Sequence, residues 1–285
     1  MKFLLKEKPD KEGLVRLYDE DFHYLVHVRR VKPGSVFTAL LPEDNSTEKI
    51  PREVKVTVCS IDNKTLTGAI SGTQGLTREK FPPEETMPDI ILFQALPKGS
   101  KMDLIVRQAA ELGINEVVPF ISERSVPKQN PIKSSPKNSS DSKINRWRRI
   151  IKEARQQSGS LTDTTILTIL NASELFAYWK KLQENQPGTL GLVFTPFSAS
   201  EDNGVEKGGF HRYLYKKPSL LVLAVGPEGG LSEAELKSFI KAGFKTLSLG
   251  NTVLRTETAA LCGAAAAKII LMERTLWKTT QQLNE

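Results

Sequence analysis

The sequence is short of cysteine, with only Cys59 and Cys262 in 285 residues. A disulfide framework is therefore excluded as the source of its stability, and the expected location is the reducing cytoplasm. Cys59 falls in an alternating strand pattern and Cys262 in an apolar helical one, so both are expected to be buried structural thiols. No apolar run is long enough to span a membrane, and Met1-Lys-Phe-Leu-Leu-Lys-Glu-Lys8 is too short and too charged for a signal peptide. Phosphate-loop signatures are missing as well: neither G-x-G-x-x-G nor G-K-[ST] occurs. His23 and His27 stand one helical turn apart without a third ligand, so no metal site is expected. What remains is a globular composition, 39% hydrophobic and 26% charged, with a formal net charge of +7 that favours an acidic partner such as nucleic acid.

The chain is organised around Leu220 to Met272. Leu220-Leu-Val-Leu-Ala-Val225 is an unbroken apolar run of strand length, suited to burial on both faces. It empties into Gly226-Pro-Glu-Gly-Gly230, after which Ser232 and Glu235 form a capping box that starts a helix ending at Gly243. Phe244 to Leu249 reads as a second strand. Gly250-Asn-Thr-Val-Leu-Arg-Thr-Glu257 is a second loop, opening into an alanine-rich helix from Thr258 to Met272. Loops leaving the same ends of parallel strands make a crevice, the usual ligand site of an open α/β sheet. Spacing alone leaves two readings, tight turns or ligand loops. If a ligand is held, Glu228 and the absence of a basic residue from the first loop disfavour a polyphosphate and suit a neutral or cationic group.

Leu223-Ala-Val-Gly-Pro-Glu-Gly-Gly-Leu-Ser232, followed by Leu249-Gly-Asn-Thr-Val-Leu-Arg-Thr-Glu-Thr-Ala-Ala260, resembles the paired signature of the SPOUT RNA methyltransferases. Within them it is most similar to the bacterial 16S ribosomal RNA (uracil-N3)-methyltransferase family. The resemblance implies an α/β fold: a parallel-sheet C-terminal domain of SPOUT type with a trefoil knot, a small N-terminal β-barrel of PUA-like type, and a homodimer. It also implies S-adenosylmethionine held by Gly226, Pro227, Glu228, Gly229 and Gly230 of one loop. Leu249, Gly250, Leu254, Thr256, Thr258 and Ala259 of the other would complete that hold. Thr195, at the exit of the strand Leu190 to Phe194, is expected to form a third wall.

Residues 1–72 read as a β-rich module. Asp19 is expected to cap a short helix carrying Phe22, Leu25 and Val26 that Pro33-Gly34 stops; strands follow at Val36 to Leu41, Val54 to Val58 and Thr65 to Ser71. His27, Arg29, Arg30 and Lys32 gather at the helix end, as a solvated face or as RNA contacts. Arg30 matches an arginine of the resembled family, whose preceding residue is usually apolar where this chain has Arg29. Residues 73–88 form a linker of Gly, Pro, Thr and charge. From 89 to 285 strand and helix alternate, as in a parallel sheet covered on both sides. Ile90 to Ala95 is the first strand, and Lys98 and Lys101 lie in the loop before a helix over Asp103 to Leu112, either idle or facing RNA phosphates. Val126 to Ser142 is low-complexity and expected to be mobile.

Lys143 to Arg155 is an amphipathic helix expected to bury Trp147, Ile150, Ile151 and Ala154 and to display Arg148, Lys152 and Arg155. Its basic stripe is either an ordinary surface or a phosphate-tracking face. Gln157 and Ser158 fit the family pattern that follows, whereas Ser160 replaces its arginine. A strand at Thr164 to Ile169, a helix capped by Ser173 and running to Asn185, and a polar insertion at Ser198 to Lys217 complete the reading.

The resemblance makes the expected reaction methyl transfer to N3 of a uridine in 16S rRNA, without a metal. N3 lies on the pairing edge, so the base must be unpaired or drawn out of its stack. Its N–H is a poor nucleophile until the proton leaves, so catalysis needs an anion stabiliser and a proton acceptor. Arg255, the only arginine in either glycine loop, is the candidate stabiliser, and Glu257 is the candidate partner of Arg255 or proton acceptor. A non-catalytic RNA-binding assembly factor and a nucleotide-using small-molecule enzyme are the alternatives.

Overall fold

The computed structural model describes residues 2–41, 53–71, 87–125, 136–196 and 209–282. It divides into two compact units, Met1–Pro83 with Arg155–Leu161, and Glu84–Ala154 with Thr162–Glu285.

The first unit is built on a five-stranded sheet. Its strands are β1 (Lys2–Leu4), β2 (Leu14–Leu17), β3 (Val36–Leu40), β4 (Glu53–Ile61) and β5 (Leu66–Ser71), in the order β1-β3-β4-β5-β2. Only the β1–β3 pair is parallel. Val54, Val56 and Val58 alternate inward against Phe3, Leu5, Val15, Leu17 and Leu66, with Phe22 and Leu25 closing the core. The same alternation turns Cys59 outward, beside a bulge between Val58 and Ser60, so the expectation of a buried thiol there is corrected. β1 and β2 carry no alternation long enough to mark them in the sequence.

Helix α1 (Asp19–His23) is also not as expected. Tyr18, not Asp19, occupies its N-cap and makes no side-chain bond there; Asp19 itself has a positive φ of 49°. The helix widens into a π-helical turn over Tyr24–Val28 and stops at Arg29 and Arg30, the latter at φ 54°, before Pro33 is reached.

The second unit holds a six-stranded sheet in which every pairing is parallel. The strands are β6 (Asp89–Ala95), β7 (Glu116–Phe120), β8 (Thr165–Ile166), β9 (Leu190–Phe194), β10 (Leu220–Val225) and β11 (Lys245–Leu247), in the order β11-β9-β10-β6-β7-β8. Its helices are α2 (Lys101–Leu112), α3 (Pro136–Ser158), α4 (Ala172–Asn185), α5 (Phe210–Leu214), α6 (Glu233–Lys241) and α7 (Thr256–Gln282). All six residues of β10 are buried because the strand serves two cores. Leu221, Leu223 and Val225 join one with Ile105, Trp147, Ile151 and Ala264. Leu220, Val222 and Ala224 join the other with Trp179, Phe239 and Phe244.

Local chemistry explains most boundaries. Ser232 accepts from Glu235 N–H while the Glu235 carboxylate accepts from Ser232 N–H, the expected capping box at α6. Gly113 ends α2 in the left-handed conformation at φ 70°. Helix α4 is capped by Asn171 rather than Ser173, because Asn171 and Glu174 form a reciprocal box two residues earlier. Strand β8 is shorter than expected, leaving an isolated bridge between Phe120 and Leu170. β7 contains Pro119, which hides it in the sequence.

Helix α3 begins at Pro136, so the expected mobile segment gives way to helix over 136–142 while 126–135 lie outside the described residues. Ile144 joins Trp147, Ile151 and Ala154 in the core, and Ile150 is only half-buried. Of the polar insertion, 197–208 lie outside the described residues, whereas α5 buries Leu214 and packs Phe210 and Tyr213 against the core. The linker is likewise outside the described residues through 86. Helix α7 starts at Thr256 and exceeds the expected Met272 end; it leaves Cys262 exposed, correcting the second buried-thiol expectation. Among the described residues, no helix is long and apolar enough to cross a membrane.

Candidate functional site

β10 lies between β9 and β6, so the loops that follow all three strands gather at one edge of the sheet. Gly226 opens the first glycine loop, where a tight turn closes from Gly230 N–H to Pro227 O at 2.8 Å. A Cβ at Gly226 would sit 3.0 Å from the backbone nitrogen of Leu231, so the close approach there needs glycine. The second glycine loop joins it directly: Thr256 Oγ1 donates to Gly226 O at 2.6 Å. Leu249 and Leu254 are half-buried in that loop, Gly250 has a φ of 114°, and Thr258 and Ala259 are half-buried in the first turn of α7. Thr195 follows directly on β9, its N–H donating to Leu247 O at 3.0 Å; its Oγ1 is buried without a partner among the described residues.

Lys101 ties the two loops a second time. Its Nζ lies 2.8 Å from Glu228 Oε1 and 3.4 Å from Glu257 Oε2, one carboxylate from each loop. The Glu228 carboxylate also accepts from Lys98 N–H at 3.0 and 3.3 Å. The hydrogen bond to Glu228 raises the Lys101 ammonium above the ordinary lysine value against a smaller opposing effect of burial, with Glu257 adding to the rise. Burial works to raise the Glu228 carboxyl, but the Lys101 bond and backbone N–H groups prevail and hold it below the usual range. One ammonium thus stands between two carboxylates, one from each loop.

Arg255 is exposed and, among the described residues, makes no hydrogen bond or ion pair through its guanidinium. Its carbonyl accepts from Ala259 N–H at 2.8 Å, which places it at the entry to α7. Glu257 therefore turns to Lys101 and not to Arg255, and the orienting role considered for it has no support in the geometry. Two residues that sequence reasoning missed complete the site. Arg124, in the loop after β7, donates from Nη1 to Gly229 O at 2.8 Å. Gln94, at the end of β6, donates to Thr256 Oγ1 at 3.0 Å. A lone polar residue in the otherwise apolar run of β6 was the available signal for Gln94; nothing in the sequence marks Arg124.

The candidate RNA contacts are divided between the two units. Arg29, Arg30 and Lys32 are exposed at the end of the π-helical turn. Arg148 is exposed on α3 and donates to Asn145 Oδ1, but Lys152 and Arg155 are half-buried rather than fully displayed. Lys98 is exposed; Lys101 is committed to the two carboxylates. Helix α3 is itself held by Asp103, which accepts from Trp147 Nε1 at 3.0 Å and pairs with Arg146. His23 and His27 have ring centroids 4.9 Å apart, and among the described residues no group of three or more metal-ligating side chains is assembled.

Residues 83–268 match the family model of the RNA methyltransferase domain. Over 266 residues the chain is 27% identical to ribosomal RNA small subunit methyltransferase E of Bacillus subtilis, covering 92% of this chain and 93% of that protein. It is 29% identical over 262 residues to the protein of the same name from Synechocystis sp., covering 91% and 74%. Ribosomal RNA small subunit methyltransferase E from Neisseria gonorrhoeae, solved bound to S-adenosyl methionine, superposes with a TM-score of 0.68 at 24% identity, covering 94% of this chain and 97% of that one. At that identity the superposition speaks to the fold.

Proposed function

Because the chain belongs to the RNA methyltransferase domain family, we propose that it methylates N3 of a uridine in 16S rRNA, using S-adenosylmethionine. The observation that carries this reading is the junction of the two glycine loops, joined by Thr256 and bridged by Lys101 at the carboxyl edge of a parallel sheet. The relatives named for small-subunit ribosomal RNA supply the substrate class.

The residues present fit that cofactor. Glu228 and Glu257 offer carboxylates that can face a sulfonium, and the buried Oγ1 of Thr195 has hydrogen-bonding capacity to spare. Gly226, Pro227, Glu228, Gly229 and Gly230 would hold it on one side, and Leu249, Gly250, Leu254, Thr256, Thr258 and Ala259 on the other. When bound it supplies the methyl group, which N3 takes as the sulfur–carbon bond breaks. Arg255 is free to hold a uracil oxygen and stabilise the anion left when the N3 proton departs, a task for which a planar guanidinium is suited. Glu257, 3.4 Å from Lys101, serves as the proton acceptor.

Residues 1–72 act as the PUA-like RNA-docking module, joined through 73–88 to the knotted catalytic domain of 89–285. Arg29, Arg30, Lys32, Lys98, Arg148, Lys152 and Arg155 supply phosphate contacts in this reading, while Lys101 serves the loops instead. The exposed Ile269 and Met272, with Cys262 one heptad before Ile269 on α7, support a homodimer, and the cytoplasm is the site of action. Calorimetric titration with S-adenosylmethionine tests the reading. Micromolar binding is expected; no heat and no binding would favour a non-catalytic RNA-binding assembly factor.

A further inference from the structure

Gln94 breaks the pattern of its strand. From Ile90 to Ala95 every other residue of β6 is apolar, yet Gln94 is 0% exposed. A buried amide persists without penalty only when its polar atoms are matched. Its Nε2 donates to Ala95 O at 2.8 Å and to Thr256 Oγ1 at 3.0 Å, whereas its Oε1 has no partner among the described residues. The orientation is settled by chemistry, since Ala95 O only accepts. Thr256 spends its own proton on Gly226 O at 2.6 Å, so it accepts from Gln94, and the chain of bonds runs one way from β6 through α7 to the first glycine loop. For packing alone, a methionine would fill this volume without an unmatched oxygen.

We propose that Gln94 is a positioning residue: through the Thr256 hydroxyl it locks the first turn of α7 and the start of the Gly226 loop to strand β6. It thereby sets the spacing of the two walls that hold the cofactor. The proposal rests on the reading that these loops bind S-adenosylmethionine. Strand register supports it, because Gln94 lies beside Val225, the residue just before Gly226. So does the crowding at Gly226, which leaves that residue little room to shift. Lys101 makes the other tie between the loops, but at the solvent-exposed rim where salt screens it. The bond between Gln94 and Thr256 is buried, so the floor of the crevice sets its width.

The test uses Gln94→Met, Thr256→Val, the two combined, and Thr256→Ser in the full chain. Cofactor affinity is read by calorimetry, and amide hydrogen exchange at the Gly226 loop and the first turn of α7 is read in the ligand-free protein. Each of the first two variants should weaken cofactor binding about five- to tenfold. The double variant should be no worse than the weaker single one, since both break one chain of bonds. Thr256→Ser, which keeps the hydroxyl, should exchange more slowly at both loops in the ligand-free protein than Thr256→Val, and exchange should quicken at both loops in the other three. Unchanged affinity and exchange in a folded single variant, or losses that multiply in the double variant, would overturn the proposal. If Gln94→Met does not fold, Thr256→Val decides through exchange in the ligand-free protein, because it puts a methyl where the hydroxyl stood and breaks both bonds of the chain. If the wild type itself binds no S-adenosylmethionine, the cofactor reading fails and the exchange comparison alone decides the lock.

Discussion

Replacing Arg255 with alanine separates chemistry from structure more cleanly than any other change in the site. The guanidinium is exposed and has no partner to lose among the described residues. Its contribution to the start of α7 is made by the backbone carbonyl that accepts from Ala259, which alanine retains. Stability should therefore change by no more than about 0.5 kcal/mol, as for a surface substitution away from packed or capped features. Cofactor affinity should also be preserved, because no bond that joins the loops passes through this side chain. The whole effect should fall on the transition state. Loss of one preorganised donor to a developing anion raises a barrier by about 2.7–4 kcal/mol, or roughly a hundred- to a thousandfold in rate. Arg255→Lys should recover little, since a point charge does not reproduce the planar fork. Single-turnover methylation of small ribosomal subunits, with melting temperature and cofactor binding measured on the same preparations, is the assay. Rates near wild type for Arg255→Ala would refute the reasoning and leave the anion to another donor, with Arg124 the next guanidinium at the rim.

Gly226→Val should abolish cofactor binding, because its Cβ meets backbone 3.0 Å away, whereas a Cβ at Gly229 would lie 3.3 Å from the Arg124 Cβ and Gly229→Val should be milder; calorimetry on both variants orders them, and the reverse order would contradict the loop geometry. Charge reversal of Arg30 and Lys32 together should weaken RNA affinity and flatten its salt dependence without touching cofactor affinity, as lost phosphate contacts release fewer counterions; an unchanged salt slope would remove the N-terminal module from RNA docking. Glu116 is held above the usual carboxyl range by burial, partly opposed by the Tyr178 hydroxyl that donates to it at 2.7 Å. The folded state thus binds this proton more tightly than the unfolded chain, and stability from Glu116 is lost as pH rises from about 4 through the raised value. Glu116→Gln, which still accepts from Tyr178, should raise the melting temperature at pH 7 more than at pH 4, and equal shifts at both would contradict the assignment.

The parts of the fold written in short-range chemistry were legible. The unbroken run of β10 and the Ser232–Glu235 box both act within a few residues, and each stands where its pattern placed it. Asn171 displaced Ser173 because two overlapping cap candidates compete and only one has a glutamate three residues on. Strands β1 and β2 escaped because three or four residues give no period to read, and their burial comes from partners distant in sequence. Cys59 was misjudged although Val54, Val56 and Val58 already assign it to the outer face. In the site, the two loops could be named in advance, but not what joins them. Lys101 reaches carboxylates far along the chain, Gln94 reaches across to Thr256, and Arg124 crosses to Gly229. Such contacts follow from strand order, in which β10 inserts between β9 and β6, and no local pattern carries that order.

The central claim is methyl transfer to one atom of one kind of base, and nucleoside analysis tests it most directly. Purified protein would be incubated with unmodified small ribosomal subunits and S-adenosylmethionine carrying a labelled methyl group, and the RNA then digested to nucleosides. The account predicts label in 3-methyluridine, approaching one equivalent per subunit and lost with Arg255→Ala. Label in another nucleoside, or none in RNA from a protein that binds the cofactor, would contradict it.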